Sequence, residues 1–281
     1  MIGERGWGSR ILRIYLPVMG FLVLMLFPFY WMLIASIKPN RELYNAKIMP
    51  MIVYQPTLKH YYDLFADTNF LLWTYNTMLV AVITTAVSLV LGAMIAYPLA
   101  RMNFPGAAIV AIGVAATYLV PQPLLFIPMA DIINKLELGN TLSAVMLTYP
   151  TLLIPFCAWL LMGYFKSVPR ELEEAARIDG ASRFQAMWRV VLPLTTPGLL
   201  SAGIFAFTLA QNEFLYALIF LAKSEVRTVP VGAITELIRG DVFYWGQLMA
   251  AALLGAIPVA VIYSFFVDYY VAGLTAGSVK S

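Results

Sequence analysis

Charge is scarce in this chain. Of its 281 residues only 12% are Asp, Glu, Lys or Arg, about half the share of an ordinary soluble domain. The net charge is +3 and no block of Lys or Arg stands out, which argues against a nucleic-acid partner. The chain has one cysteine, Cys157, so an internal disulfide is excluded. Its neighbours, LLIPFCAWLL, are apolar, and the expected state is a buried, inert thiol. The one histidine, His60, has no Cys or His companion for a metal site and is expected on a loop surface. No G-x-x-x-x-G-K-[ST] run is present, so this chain is not expected to hydrolyse ATP. No Ser/Gly-rich linker divides it, which favours one membrane domain over residues 1–281.

What fills the chain instead is apolar: 61% of residues are hydrophobic and 14% aromatic. Six runs are long enough for membrane-spanning helices, each needing about 20 mostly apolar residues. They cover residues 15–37, 74–100, 107–130, 141–165, 198–222 and 246–270. All are continuous rather than alternating, which favours helices over barrel strands. The expected fold is therefore an all-α integral membrane protein with six transmembrane helices. The third run carries Pro121, Pro123 and Pro128 and should break or bend. Arg5, Arg10 and Arg13 precede the first run. That run exceeds the apolar core of a signal peptide and is read as a retained helix. With an even number of spans, these arginines place both termini in the cytoplasm.

The residues between the fourth and fifth runs, 166–197, break the pattern. Here ELEEAARIDGASRFQAMWRVVLPLT places Glu171, Glu173, Glu174 and Asp179 among Arg170, Arg177, Arg183 and Arg189. Pro169 suits a helix start, and acids in the first turn suit the helix dipole. Gly180 can take the left-handed backbone that ends a helix. Ser182 can cap a second helix, RFQAMWRVVL, ended by Pro193. Phe184, Met187, Trp188 and Val191 then fall at spacings of three and four and form one apolar face. Such a face suits either a lipid surface or a partner protein.

Glu174-Ala175-Ala176, Gly180, and after nine further residues Val190-Val191-Leu192-Pro193 resemble the EAA loop of importer-type ABC permeases; Val190 stands where Ile is more usual. In that family the loop holds a coupling helix that fits a cleft on a cytoplasmic ATPase. LFPFYWMLIASIKPNREL, QPTLKHYYDLF, AYPLARMNFPG, LELGNTLSAVMLTYP and the tail YYVAGLTAGSVKS are similar, in order, to the carbohydrate subgroup, the relatives of the smaller maltose-permease subunit. The fifth run has Gln211-Asn212-Glu213-Phe214 where the subgroup has Trp-Asn-Glu-Phe.

The resemblance implies an ATP-driven importer of sugars or sugar derivatives, glycerol phosphates included, in the bacterial inner membrane. It implies a second, homologous permease subunit, two ATPase subunits that bind ATP and Mg, and a periplasmic or lipid-anchored solute-binding protein. It implies that this chain is a translocation subunit and not an enzyme. Glu174, Ala175, Ala176, Gly180, Phe184 and Trp188 would serve coupling, with Glu174 in an ion pair or cap at the joint.

Polar groups inside an apolar run are costly and usually face the bundle interior. Gln211, Asn212 and Glu213, with Tyr216, Gln122 and Tyr149, are therefore the candidate substrate path, although interhelical glue explains Asn212 and Glu213 equally well. A self-contained secondary transporter or channel is the alternative. That class often shows paired broken helices, and the sequence displays one.

Overall fold

The computed structural model describes residues 11–276, with side chains from 13 to 267. Arg5, Arg10 and the end of the tail, 277–281, lie outside the described residues, as do the side chains of the tail from 268 on. The chain is mostly helical. Among the described residues four helices are long and apolar enough to cross a membrane, and up to six if each of two bent helix pairs is one span. It gathers into two compact units, Met1–Phe70 with Ala233–Ala256, and Leu71–Gly232 with Ile257–Ser281.

The first unit opens with α1 (Leu16–Ile37), apolar on every side and buried only at Ile34, Ala35 and Ser36. The segment after it is closed by its own charges. Lys38 is buried and donates Nζ to the carbonyls of Met49 and Pro50 at 2.9 and 3.1 Å. The Glu42 carboxylate accepts from the backbone N–H groups of Tyr54 and Gln55 at 3.1 and 3.0 Å. A helix, Lys59–Asp67, begins within the QPTLKHYYDLF stretch and ends two residues past it. His60, expected on a loop surface, is buried in this helix with Nε2 2.9 Å from the Lys38 carbonyl. A Cβ on Gly246 would collide with that ring, so the histidine is a packing and hydrogen-bonding residue. A small hairpin pairs Ile238–Arg239 with Val242–Phe243, turning at Gly240, whose φ is +59°.

In the second unit α2 (Phe70–Arg101), which begins at the unit boundary, packs on α5 (Leu142–Ser167). Small residues let the two backbones approach, as is common between membrane helices. A Cβ on Gly92 would meet Cys157 Cβ at 2.7 Å and the Ala158 backbone nitrogen at 3.2 Å. Cys157 itself is buried and free. Gly92→Val should therefore overpack this crossing at about 1–3 kcal/mol and lower the melting temperature of the purified protein. In a Gly92→Ala background, Cys157→Gly should recover part of the loss by removing the nearer obstacle.

α5 is also the helix on which α3 (Ala107–Tyr118) and α8 (Thr196–Gln211) pack. The third apolar run is two helices, α3 and α4 (Gln122–Lys135), bent by 93°. Of its three prolines only Pro121 sits at the break. Pro123 lies in the first turn of α4, where its missing N–H is harmless, and Pro128 lies inside that helix.

The fifth run, expected as one continuous helix from 198 to 222, is interrupted. α8 ends at Gln211, and α9 (Leu215–Phe220) restarts after Asn212, Glu213 and Phe214. A second sharp bend, 81°, separates Arg183–Leu194 from α8. Besides the break at Pro121, the described helices are thus also interrupted at Thr195 and at 212–214, so more than the one expected broken helix is present. The last run is α10 (Trp245–Ala276).

Candidate functional site

The charged interruption folds as two short helices. α6 (Arg170–Ile178) follows Pro169, which caps the helix rather than entering it. Gly180 has φ +93°, a conformation that a side chain disfavours. Ser182 then caps α7 (Arg183–Ala186). Its Oγ accepts from the Gln185 N–H at 3.2 Å, while the Gln185 side chain accepts from the Ser182 N–H at 2.8 Å, a reciprocal capping box. The helix does not stop at Pro193. It passes through a π-helical turn, Met187–Val191, and a last turn, Leu192–Leu194, that contains Pro193.

The four apolar residues at helical spacing divide between two environments. Met187 and Val191 are buried against Ala93, Ala96 and Tyr97 of α2 and Leu161 and Phe165 of α5. Phe184 and Trp188 are 57% and 46% exposed and meet edge to face, ring centroids 6.0 Å apart. Leu172 and Ile178 are exposed beside them in sequence. The expected single apolar face therefore straddles a boundary, with one edge seated on the bundle and the other turned outward.

Glu174, Ala175 and Gly180 lie exposed in this loop, and Ala176 is half-buried. Within the chain, the neighbouring residue makes an ion pair to the bundle. Glu173 Oε2 lies 3.6 Å from Arg101 Nε, with the arginine side chain 2% and the carboxylate 13% exposed. Glu173 Oε1 also accepts from the Tyr97 hydroxyl at 2.6 Å, and that hydroxyl stands 3.1 Å from the Arg183 carbonyl. One turn of α2 thus holds the start of both loop helices. Sequence reasoning missed Glu173, Tyr97 and Arg101. The available signal was an arginine and a tyrosine four residues apart at the end of an apolar run.

The second cluster lies where the helix breaks meet. A cavity of about 710 Å³ is lined by Tyr118 to Gln122 from the first break, by Tyr149 and Thr151 of α5, and by Asn212 to Leu215 from the second. It collects Gln122, Tyr149, Asn212 and Glu213 from the six candidate path residues; Gln211 and Tyr216 are buried outside its lining. Glu213 is largely committed to the backbone. Its Oε1 and Oε2 accept from the N–H groups of Tyr216 and Ala217 at 2.9 and 3.2 Å, which are orphan donors of the first turn of α9. The Asn212 amide donates to the Thr208 carbonyl at 2.9 Å. The buried Tyr149 hydroxyl faces Glu213 and makes no hydrogen bond of ordinary geometry. Among the described residues no Lys, Arg or His lines this cavity.

Known proteins agree with this architecture. Residues 88–275 match the model of the binding-protein-dependent transport system inner membrane component family. A sulfoquinovosyl glycerol transport system permease from Agrobacterium fabrum is 38% identical over 256 residues, covering 91% of this chain and 89% of that protein. A trehalose/maltose transport system permease from Thermococcus litoralis is 34% identical over 261 residues, 92% of each chain. Among solved structures, a bacterial ABC transporter for import of the acidic polysaccharide alginate superposes with a TM-score of 0.77 at 21% identity, over 95% of this chain and 99% of that one. At that identity the likeness speaks for the fold. The family match extends from the middle of α2 to the end of α10, and it makes this chain a member of the binding-protein-dependent transport system inner membrane components.

Proposed function

We propose that this chain is the permease subunit of an ATP-driven importer for a sugar or sugar derivative. It takes cargo from a solute-binding protein and passes it inward by alternating access. The observation that carries this reading is the loop over residues 166–197. It is seated on the bundle through Glu173, Met187 and Val191, yet turns Leu172, Ile178, Phe184 and Trp188 outward. A partner that grips the outward edge moves the helices attached to the inward one. In this reading the loop is cytoplasmic, both termini lie on the same side, and α3 with α4 and α8 with α9 complete six spans. Two ATPase subunits bind ATP and Mg²⁺ and supply the motion, and a second permease completes the path. Ala175 and Ala176 permit close approach of the ATPase, Glu174 contributes a surface charge to it, and Gly180 makes the turn.

The cargo is read as a sugar because the relatives named above carry sugar compounds. Tyr149, Gln122 and Asn212, beside the Glu213 break, give the cavity hydroxyl and amide groups suited to sugar hydroxyls. Two bent helices would also suit a secondary transporter, but the family match runs through both of them.

The test is biochemical. The chain, co-expressed with a second permease and a P-loop ATPase from the same organism, should purify as one complex. That complex should hydrolyse ATP faster with the loaded binding protein, whose ligand calorimetry on a sugar panel identifies. Transport by this chain reconstituted alone, without ATP, would sink the proposal in favour of the secondary transporter.

A further inference from the structure

Two adjacent glutamates in the loop face different ways. Glu174 is exposed. Glu173 is turned into the bundle, against Tyr97 and Arg101. We infer that Glu173 is the positioning residue through which movement of the loop enters α2, with Tyr97 and Arg101 as its grip. The inference rests on the loop being the site where the ATPase acts, and it adds a separate transmission route to that reading.

The flanking chain already ties the loop to α5 and α8 by covalent continuity. α2 has no such link, since 68 residues separate its end at Arg101 from the start of α6 at Arg170. It must follow the loop through side chains. Apolar contacts of Met187 and Val191 with Ala93, Ala96 and Tyr97 can slide, because dispersion contacts are non-directional. Directional, charge-assisted contacts resist sliding, and the described residues supply them at one place. Glu173 bonds Tyr97, pairs with Arg101 one turn further on, and Tyr97 also reaches the Arg183 carbonyl of the second loop helix.

The arginine is almost fully buried, yet its Nε and one terminal nitrogen donate no hydrogen bond. A bare buried charged donor is costly, and the Glu173 carboxylate beside it offsets part of that cost. Losing Glu173 should loosen α2 from the loop while leaving the outward surface of the loop intact.

The experiment uses the full complex with its ATPases. Spin labels at Arg177→Cys in α6 and Phe104→Cys just beyond α2 report whether the two elements move together; the native Cys157 is buried and stays unlabelled. With Glu173 present, the interlabel distance should stay narrow and unshifted when the ATPases are trapped closed with ADP and vanadate. With Glu173→Gln or Tyr97→Phe, trapping should widen it by several ångströms, the scale of one packed element shifting past another. The ATPases should still co-purify and hydrolyse ATP. The exchange Glu173→Arg with Arg101→Glu should restore the narrow distribution; a merely structural role would instead widen it in the single variants equally with and without trapping.

A Glu173→Gln complex that stays narrow on trapping overturns the inference. So does one that loses its ATPases, because Glu173 then acts on docking itself. Failure of the unsubstituted chain to bind ATPases at all counts against the coupling reading instead, so the two failures are separable.

Discussion

Trp188→Asp should strip the ATPase subunits from the complex while leaving the permease folded. Trp188 and Phe184 form the exposed aromatic pair of the loop. Aromatic side chains at the centre of an interface commonly contribute about 2 kcal/mol or more to binding. That is roughly a thirtyfold loss on truncation, and a new buried charge adds to it. The substitution costs the permease little because the indole is half in solvent. Its inward neighbours Met187 and Val191 continue to seat the loop. Co-purification of tagged ATPase, with helix content and second-permease binding as controls, reads the result. Phe184→Ala should weaken the complex less, since it removes area without adding charge. If Trp188→Asp left ATPase binding intact but reduced membrane association, the aromatic edge would face lipid and the docking surface would have to be sought elsewhere.

A second large effect is expected at the break in the fifth run. Glu213→Leu removes the acceptor for two buried N–H groups, those of Tyr216 and Ala217. Each unpaired group costs about 1–3 kcal/mol, enough to lower the melting temperature of the purified complex by several degrees and its yield with it. Glu213→Gln keeps one carbonyl acceptor and should fold nearly as well. The pair of variants separates two roles. If the carboxylate chiefly closes the break, stability falls with Leu and survives with Gln, and uptake follows stability. If it binds cargo, Gln abolishes uptake at unchanged melting temperature.

The helices were legible because apolar runs of that length have few alternatives in a membrane. The turn between the loop helices was legible too, since Gly180 and Ser182 act through their own backbone chemistry and need no distant partner. The break at Pro121 announced itself through a missing N–H. The break at 212–214 did not. It contains neither proline nor glycine, and Asn212 and Glu213 read as path residues because nothing in the sequence shows that a carboxylate will fold forward onto the next helix.

The choice between Glu173 and Glu174 was equally invisible. Consecutive helical residues point about 100° apart, and which one turns inward depends on where Tyr97 and Arg101 arrive, more than seventy positions earlier in the chain. His60 was misplaced for the same reason, its environment being set by Lys38 and Gly246. Local chemistry is written locally, whereas the partners of a buried polar group are set by topology.

The π-helical turn at Met187–Val191 bears on how such a loop tolerates insertions and deletions. A π turn accommodates one residue more than an α turn in the same rise. Removing a single residue between Ala186 and Leu192 would let this stretch relax to an ordinary α-helix while the segment before it kept its facing. Phe184 would stay outward and the capping box at Ser182 would hold. A deletion between Ser182 and Ala186 would instead rotate what precedes it by about 100°. Along the thirteen positions from Gly180 to Pro193, a loss of one residue should therefore be accepted more readily in the π turn than in the α-helical turn before it.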